Sequence, residues 1–81
     1  MAVRNNLITL MGEKQAKEGR VINASVVAKE TGLTRQAISK WTRQEVSEFR
    51  EEIIERLCKY FECEIGDLLY IDWGNEQPSQ N

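Results

Sequence analysis

Four polar side chains in the middle of the chain have the spacing of one helical face. Arg35, Gln36, Ser39 and Lys40 recur at offsets that bring residues one turn apart onto the same side of an α-helix. Arginine can donate two hydrogen bonds to O6 and N7 of guanine, and glutamine can pair with N6 and N7 of adenine. Serine and lysine are more permissive at base edges. We therefore predict that these four residues contact DNA bases.

Two short helices joined by a tight turn are predicted to position these side chains. Residues 24–31 and 35–43 have helical patterns, and Gly32 between them can adopt the left-handed conformation that ends a helix. Asn23 and Thr34 precede the two helices, where a side-chain oxygen can accept a hydrogen bond from a free backbone N–H. The arrangement is typical of a helix-turn-helix, whose second helix enters the major groove of DNA.

The apolar residues of the second helix indicate which of its faces is buried. Leu33 directly precedes the cap and can pack against Ile38, and Trp41 lies three residues further along on the same side. We expect these three side chains in the core, which turns the four polar ones outward. Arg43, at the far end of the helix, is expected to contact a phosphate, because such helices read bases mainly from their N-terminal part.

Helical patterns extend over the rest of the chain, in which proline occurs only in the tail, at Pro78. Apolar spacing predicts further helices over residues 4–18, 50–61 and 65–70, with residues 44–49 as a connecting loop. The expected fold class is therefore all-α: a compact five-helix domain in which the second and third helices form the helix-turn-helix.

The predicted domain covers residues 1–73, and residues 74–81 are predicted to form a disordered tail. Val21 and Ile22, in the connection after the first helix, are expected to pack inward. The first helix itself has an apolar stripe made of Leu7, Ile8, Leu10 and Met11.

The charge of the chain is unevenly distributed. A net charge of −2 would by itself argue against nucleic-acid binding. Residues 1–43, however, contain eight Lys or Arg and three Asp or Glu, whereas residues 44–81 contain three and ten. The half with the helix-turn-helix is therefore basic and the other half is acidic. The basic half suits a polyanion such as DNA, and the acidic half suits a basic protein partner.

Two stretches carry a resemblance to a known family. One is Thr-Gly-Leu-Thr-Arg-Gln-Ala-Ile-Ser-Lys-Trp, and the other is the segment 57–69, which includes a helical cysteine and ends in Gly-Asp-Leu-Leu. Over residues 5–71 the chain resembles the phage repressor and Cro-type helix-turn-helix regulators, also called the xenobiotic-response-element family. The framework positions that match the motif are Ala28, Gly32 and Ile38.

The resemblance implies a sequence-specific regulator that binds double-stranded DNA, by family habit a repressor. The family's recognition positions fall on Thr34, Arg35 and Gln36, and its next outward turn falls on Ser39 and Lys40. The position of Asn23 often touches a phosphate in the family. The residues predicted to contact phosphates are Asn23, Thr34 and Arg43.

The loop after the second helix of the motif departs from the family pattern. This loop often holds a glycine and basic residues in the family, whereas residues 44–49 here are Gln-Glu-Val-Ser-Glu-Phe. Glu45 and Glu48 would repel phosphates if they lay near the DNA backbone, and phosphate neutralisation supplies much of the affinity. The departure leaves open a dimer that binds DNA or a copy of the fold that binds none.

Apolar residues beyond the expected core suggest where a second copy binds. Tyr70, Ile71 and Trp73 form this tentative dimer interface, since exposed apolar patches often mark partner surfaces. The alternative for Trp73 is that it folds back onto the domain. Proteins of this type read pseudo-palindromic operators as dimers, so we expect a homodimer on DNA. The alternative function is an antitoxin or an adaptor that binds another protein through the same fold.

The composition predicts neither catalysis nor a cofactor. The chain has no histidine and no glycine-rich phosphate loop, and Cys58 and Cys63 are too few to complete a zinc site. Cys58 lies on an apolar helical face and is expected in the core. No signal peptide and no membrane-spanning stretch is visible, so we expect a cytoplasmic protein with reduced cysteines.

Overall fold

The computed structural model describes residues 2–74, which form five helices and one small antiparallel sheet. In chain order the elements are β1 (Ala2–Asn5), α1 (Leu7–Glu18), α2 (Ala24–Thr31), α3 (Arg35–Thr42), α4 (Glu51–Phe61), α5 (Ile65–Leu68) and β2 (Leu69–Asp72). No helix in this described part is long and apolar enough to cross a membrane. The predicted tail begins at Gly74, in a turn, and residues 75–81 lie outside the described residues.

The two helices of the motif begin and end at the residues whose chemistry predicted their bounds. The side-chain oxygen of Asn23 accepts from the N–H of Val26 at 3.0 Å, and that of Thr34 accepts from the N–H of Ala37 at 3.1 Å. Gly32 ends α2 with a left-handed φ of 78°. The prediction for α2 is confirmed, and α3 ends one residue before the predicted end.

One hydrophobic core lies between the helices. Trp41 contributes the largest fully buried side chain, and its ring meets that of Phe49 edge to face at 5.5 Å. Ile38 is also fully buried, and Leu33 packs against this core from its edge, as predicted. Cys58, half-buried, packs against the core too. The buried hydrophobic residues are Leu7, Ile22, Val27, Ala28, Ile38, Trp41, Leu57 and Leu68.

The small sheet corrects the all-α prediction. Strand β1 pairs antiparallel with β2, with Ala2 opposite Asp72 and Asn5 opposite Leu69, and we call this pair the terminal ribbon. The first helix therefore begins at Leu7 rather than Arg4, and the fifth ends at Leu68 rather than Tyr70. The physical reason is that backbone groups which a longer helix would pair internally are paired between the strands instead.

Two predicted core residues are exposed. Ile8 is 59% exposed and Val21 is 64% exposed, whereas their neighbours Leu7 and Ile22 are buried. Four apolar residues of α1 span a wider arc than its contact with the rest of the domain, so the helix buries Leu7 and leaves Ile8 in solvent. In the extended connection, adjacent residues point to opposite sides, so only Ile22 faces the core.

Candidate nucleic-acid interface

The outward face of α3 gathers the residues that the sequence predicted as base readers. Arg35, Gln36, Ser39 and Lys40 line one shallow concave surface, which Arg43 completes at the C-terminal end. Ser39 is half-buried and the other four are exposed. We call this concave surface the α3 face. It is lined by two arginines, one lysine, a glutamine and a serine, with no carboxylate among them.

The α3 face is exposed because the opposite side of the helix is anchored. Ile38 and Trp41 are buried in the core, and the half-buried Leu33 packs against it just before the helix. Each turn of α3 is therefore anchored by one of these three residues. The helix is short, and it is held by packing rather than by its own hydrogen bonds. Rotation of α3 about its axis would expose the indole of Trp41. The polar side chains on the opposite side of the helix are therefore fixed towards solvent.

Asn23 and Thr34 lie at the N-termini of α2 and α3, away from the lining of the α3 face. Both are exposed, and the side-chain oxygen of each accepts a backbone N–H of its own helix. That oxygen is therefore occupied by capping. What each position offers to an anion is the positive end of a helix, where exposed N–H groups favour negative charge.

A carboxylate stands beside the one arginine that was predicted to contact only phosphate. Arg43 Nε donates to Glu45 Oε1 at 3.1 Å, and more than half of each side chain is exposed. The N–H of Glu45 donates to the carbonyl of Lys40 at 2.9 Å, which fixes the start of the loop against α3. Glu45 therefore occupies one hydrogen-bonding position of the Arg43 guanidinium. Glu48 and Glu45 both line a neighbouring groove between α3 and α4, which shares Lys40 with the α3 face.

The C-terminal end of α3 is tied to the terminal ribbon by residues that the sequence analysis missed. The side-chain amide of Gln44 exchanges two hydrogen bonds with the backbone of Asn5, and the side chain of Asn5 reaches the carbonyl of Trp41. Glutamine and asparagine at these positions carry no distinctive spacing. The only local signal was their position at the edge of predicted elements.

The other helix of the motif is held by a charged cluster. Arg20 makes two hydrogen bonds of 2.8 Å with the carboxylate of Glu30 on α2, and the hydroxyl of Tyr60 on α4 also donates to it. The arginine, then the tyrosine, lower the pKa of Glu30 to about 2. Burial, then the neighbouring Glu30 carboxylate, raises the pKa of Tyr60 to about 12. Glu30 is thus a carboxylate at neutral pH and joins α2 to α4.

The tentative dimer residues lie on or just after the terminal ribbon. Tyr70 and Ile71 are exposed neighbours in β2, so their side chains leave the ribbon on opposite faces. Ile71 stands opposite Val3, which is also exposed, and together they form an apolar pair on one face. Trp73 is half-buried just beyond the strand. The three predicted residues therefore do not form one flat patch.

The fold and the α3 face define a helix-turn-helix domain. The family model for the Cro/C1-type HTH DNA-binding domain matches residues 6–72, and the chain belongs to this family. The resemblance predicted from the sequence is thereby confirmed. The match runs through all five helices and ends with β2. Comparison with curated proteins and with solved structures returned no match.

Proposed function

We propose that this protein is a sequence-specific transcriptional regulator, acting as a repressor, that reads the major groove of double-stranded DNA with the α3 face. The observation that carries the proposal is the pairing of a buried apolar side of α3 with an exposed side on which Arg35, Gln36, Ser39 and Lys40 converge. A helix with that outer surface fits the width of the major groove. Occupation of promoter DNA by the domain would exclude other proteins from it.

The roles follow from position along α3. Arg35 and Gln36 are in its first turn, which enters the groove most deeply in this motif, and they make the bidentate base contacts. Ser39 and Lys40, one turn later, contact bases further along the groove. Arg43 lies where the helix leaves the groove and contacts a phosphate.

The remaining phosphate contacts come from the two capped helix ends. Asn23 and Thr34 begin α2 and α3, whose N-terminal backbone N–H groups bind the phosphates on either side of the groove. Contacts of this kind fix the position of the domain on the duplex and carry no sequence information of their own. They orient the base-reading residues of α3.

The active form in this proposal is a homodimer on a pseudo-palindromic operator, with half-sites about one helical turn apart. The terminal ribbon supplies the contact between copies, with Ile71 beside Val3 on one of its faces, Tyr70 on the other and Trp73 just beyond the strand. A regulator of bacterial type would act in the cytoplasm, where its operator is, without a cofactor.

Selection of duplexes from a random DNA pool by the purified protein, near physiological salt, tests the proposal. An enriched motif with two-fold symmetry is the expected result. The same selection with Arg35→Ala should lose one base preference, whereas Lys17→Ala, which removes one exposed charge on α1 outside the α3 face, should recover the wild-type motif. The proposal would be overturned if the wild-type protein enriched no motif.

A protein-binding adaptor or antitoxin is the second candidate, and the ion pair between Arg43 and Glu45 is the observation that favours it. A carboxylate at this point weakens attraction for phosphate, and residues 44–81 are strongly acidic. Failure of DNA selection together with co-purification of a basic protein would support this function instead.

A further inference from the structure

Asn5 is the one buried polar residue among residues 2–74, with only 4% of its surface exposed. Its side chain bonds two helices at once. Oδ1 accepts from the N–H of Leu7, the first residue of α1, at 3.0 Å, and Nδ2 donates to the carbonyl of Trp41 at 3.0 Å, in the last turn of α3. A buried amide is tolerated only when it is hydrogen-bonded, and both polar atoms of Asn5 are.

Gln44 completes the contact from the other direction. Its Oε1 accepts from the backbone N–H of Asn5 at 3.0 Å, and its Nε2 donates to the backbone carbonyl of Asn5 at 2.9 Å. The carboxamide therefore pairs with the free edge of β1 as the peptide group of a third strand would. We call these four hydrogen bonds the Asn5–Gln44 clamp.

Gln44 has the left-handed backbone with which many helices end, and Glu62 ends α4 in the same way. The φ of Gln44 is 59°, in the left-handed region that favours glycine. The hydrogen bonds of this helix end run from the N–H of Gln44 to the carbonyl of Trp41 at 3.1 Å and from the N–H of Glu45 to the carbonyl of Lys40 at 2.9 Å. The two hydrogen bonds to Asn5 connect this helix end to β1 as well.

We propose that the Asn5–Gln44 clamp positions the α3 face on DNA by locking the C-terminal end of α3 to the terminal ribbon. The inference rests on the proposed function and adds the residues that set the tilt of the recognition helix. Ile38 and Trp41 pack α3 against the core along its length, and the clamp adds hydrogen bonds to the ribbon at the end that carries Lys40 and Arg43. Asn5 and Gln44 are positioning residues, since neither lines the α3 face.

Gln44→Gly tests the proposal, because glycine removes the amide and also relieves the left-handed backbone, so the fold is retained. The control is Gln15→Ala, which removes an amide whose Oε1 accepts from the N–H of Ile22 at 3.0 Å, between α1 and its following connection. The readout is the ratio of affinities for the selected duplex and for a scrambled duplex at one salt concentration. Gln44→Gly should lower this ratio about tenfold, roughly the loss of one good base contact.

Affinity for the scrambled duplex should stay unchanged in both variants, since the charges remain. The ratio for Gln15→Ala should equal that of the wild-type protein. Gln44→Glu retains an acceptor for the N–H of Asn5 and loses the donor to its carbonyl, so it should also lower the ratio. An unchanged ratio in both Gln44 variants would overturn the proposal.

Amide hydrogen exchange separates failure of the clamp from failure of the proposed function. In Gln44→Gly the backbone N–H groups of Arg43 and Glu45, which bond to the last turns of α3, should exchange about tenfold faster, and those of α2 should not change. If the wild-type protein selects no duplex, the proposed function fails. Hydrogen exchange then tests by itself whether the clamp holds the end of α3. Unchanged exchange at Arg43 and Glu45 would show that Gln44 immobilises nothing.

Discussion

Helices α3 and α4 are packed alike but differ in the charges that they expose. Each buries one apolar side in the same core, through Trp41 in one and Leu57 in the other. The outward residues of α3 include no carboxylate. Those of α4 carry both signs, with exposed Glu51, Glu52, Glu55, Arg56 and Lys59. Packing therefore specifies which side of a helix is exposed, while the charges on that side influence which macromolecule it can approach.

The sharpest test of this comparison is removal of the first base-reading side chain of α3. Arg35→Ala should weaken binding to the selected duplex by about 1–3 kcal/mol and relax preference at one base pair, because a bidentate guanine contact is lost. Titration against a panel of single-base variants of that duplex measures both effects. Lys59→Ala, which removes an exposed charge of α4, should change neither. Wild-type affinity and selectivity in Arg35→Ala would mean that α3 does not read bases.

A smaller effect is expected at the end of the same helix. Arg43→Ala should weaken all duplexes by a similar factor and reduce the slope of log affinity against log salt by about one, because one phosphate contact is lost. The slope is obtained from titrations at several salt concentrations. A change in base preference without a change in slope would show that Arg43 reads a base instead.

Neutralising the carboxylate beside Arg43 should act in the opposite direction. Glu45→Gln removes the ion pair of 3.1 Å, and affinity for every duplex should rise roughly two- to fivefold, the range of an exposed pair. Glu52→Gln is the matched control, since Glu52 pairs with Arg56 on α4 at 3.1 Å. Equal effects of the two substitutions would indicate a response to net charge alone.

The weakest effect is one of pH on stability, through the contact that joins α2 to α4. Because the folded-state pKa of Glu30 is lowered from 4.5 to about 2, its contribution is fully present above about pH 4.5 and is lost as the pH falls through about 2. Thermal unfolding of Glu30→Gln should therefore show a lower Tm than wild type at pH 7, with the difference shrinking towards pH 2. A constant difference across that range would contradict the assignment.

The predictable part of the molecule is the part whose signals are local. Asn23, Gly32 and Thr34 marked the bounds of α2 and α3 by chemistry that acts within a few residues. The outward direction of Arg35 and its neighbours followed from the positions of Ile38 and Trp41 in the same helix. These features depend on helical periodicity, and that periodicity is visible in the sequence.

The terminal ribbon and the clamp depend on residues far apart in the chain. Ala2 pairs with Asp72, and Asn5 meets Gln44, and no local pattern connects these positions. The apolar residues around Leu7 fit a helix that starts earlier, and those after Ile65 fit a helix that ends later. Residues 2–5 and 69–72 pair as strands instead of extending these two helices, because the pairing satisfies the backbone hydrogen bonds of both segments at once.

The sequence alone determined the family, the helix-turn-helix and the side chains that α3 presents, because each depends on residue types at short, regular spacing. Only the tertiary structure decided that residues 2–5 and 69–72 form a ribbon, that Gln44 bridges α3 to it, and that Glu45 stands beside Arg43. Those contacts arise when separately formed elements pack together. Their hydrogen bonds and ion pairs are specified by the position of one element relative to another, which no single stretch of sequence contains.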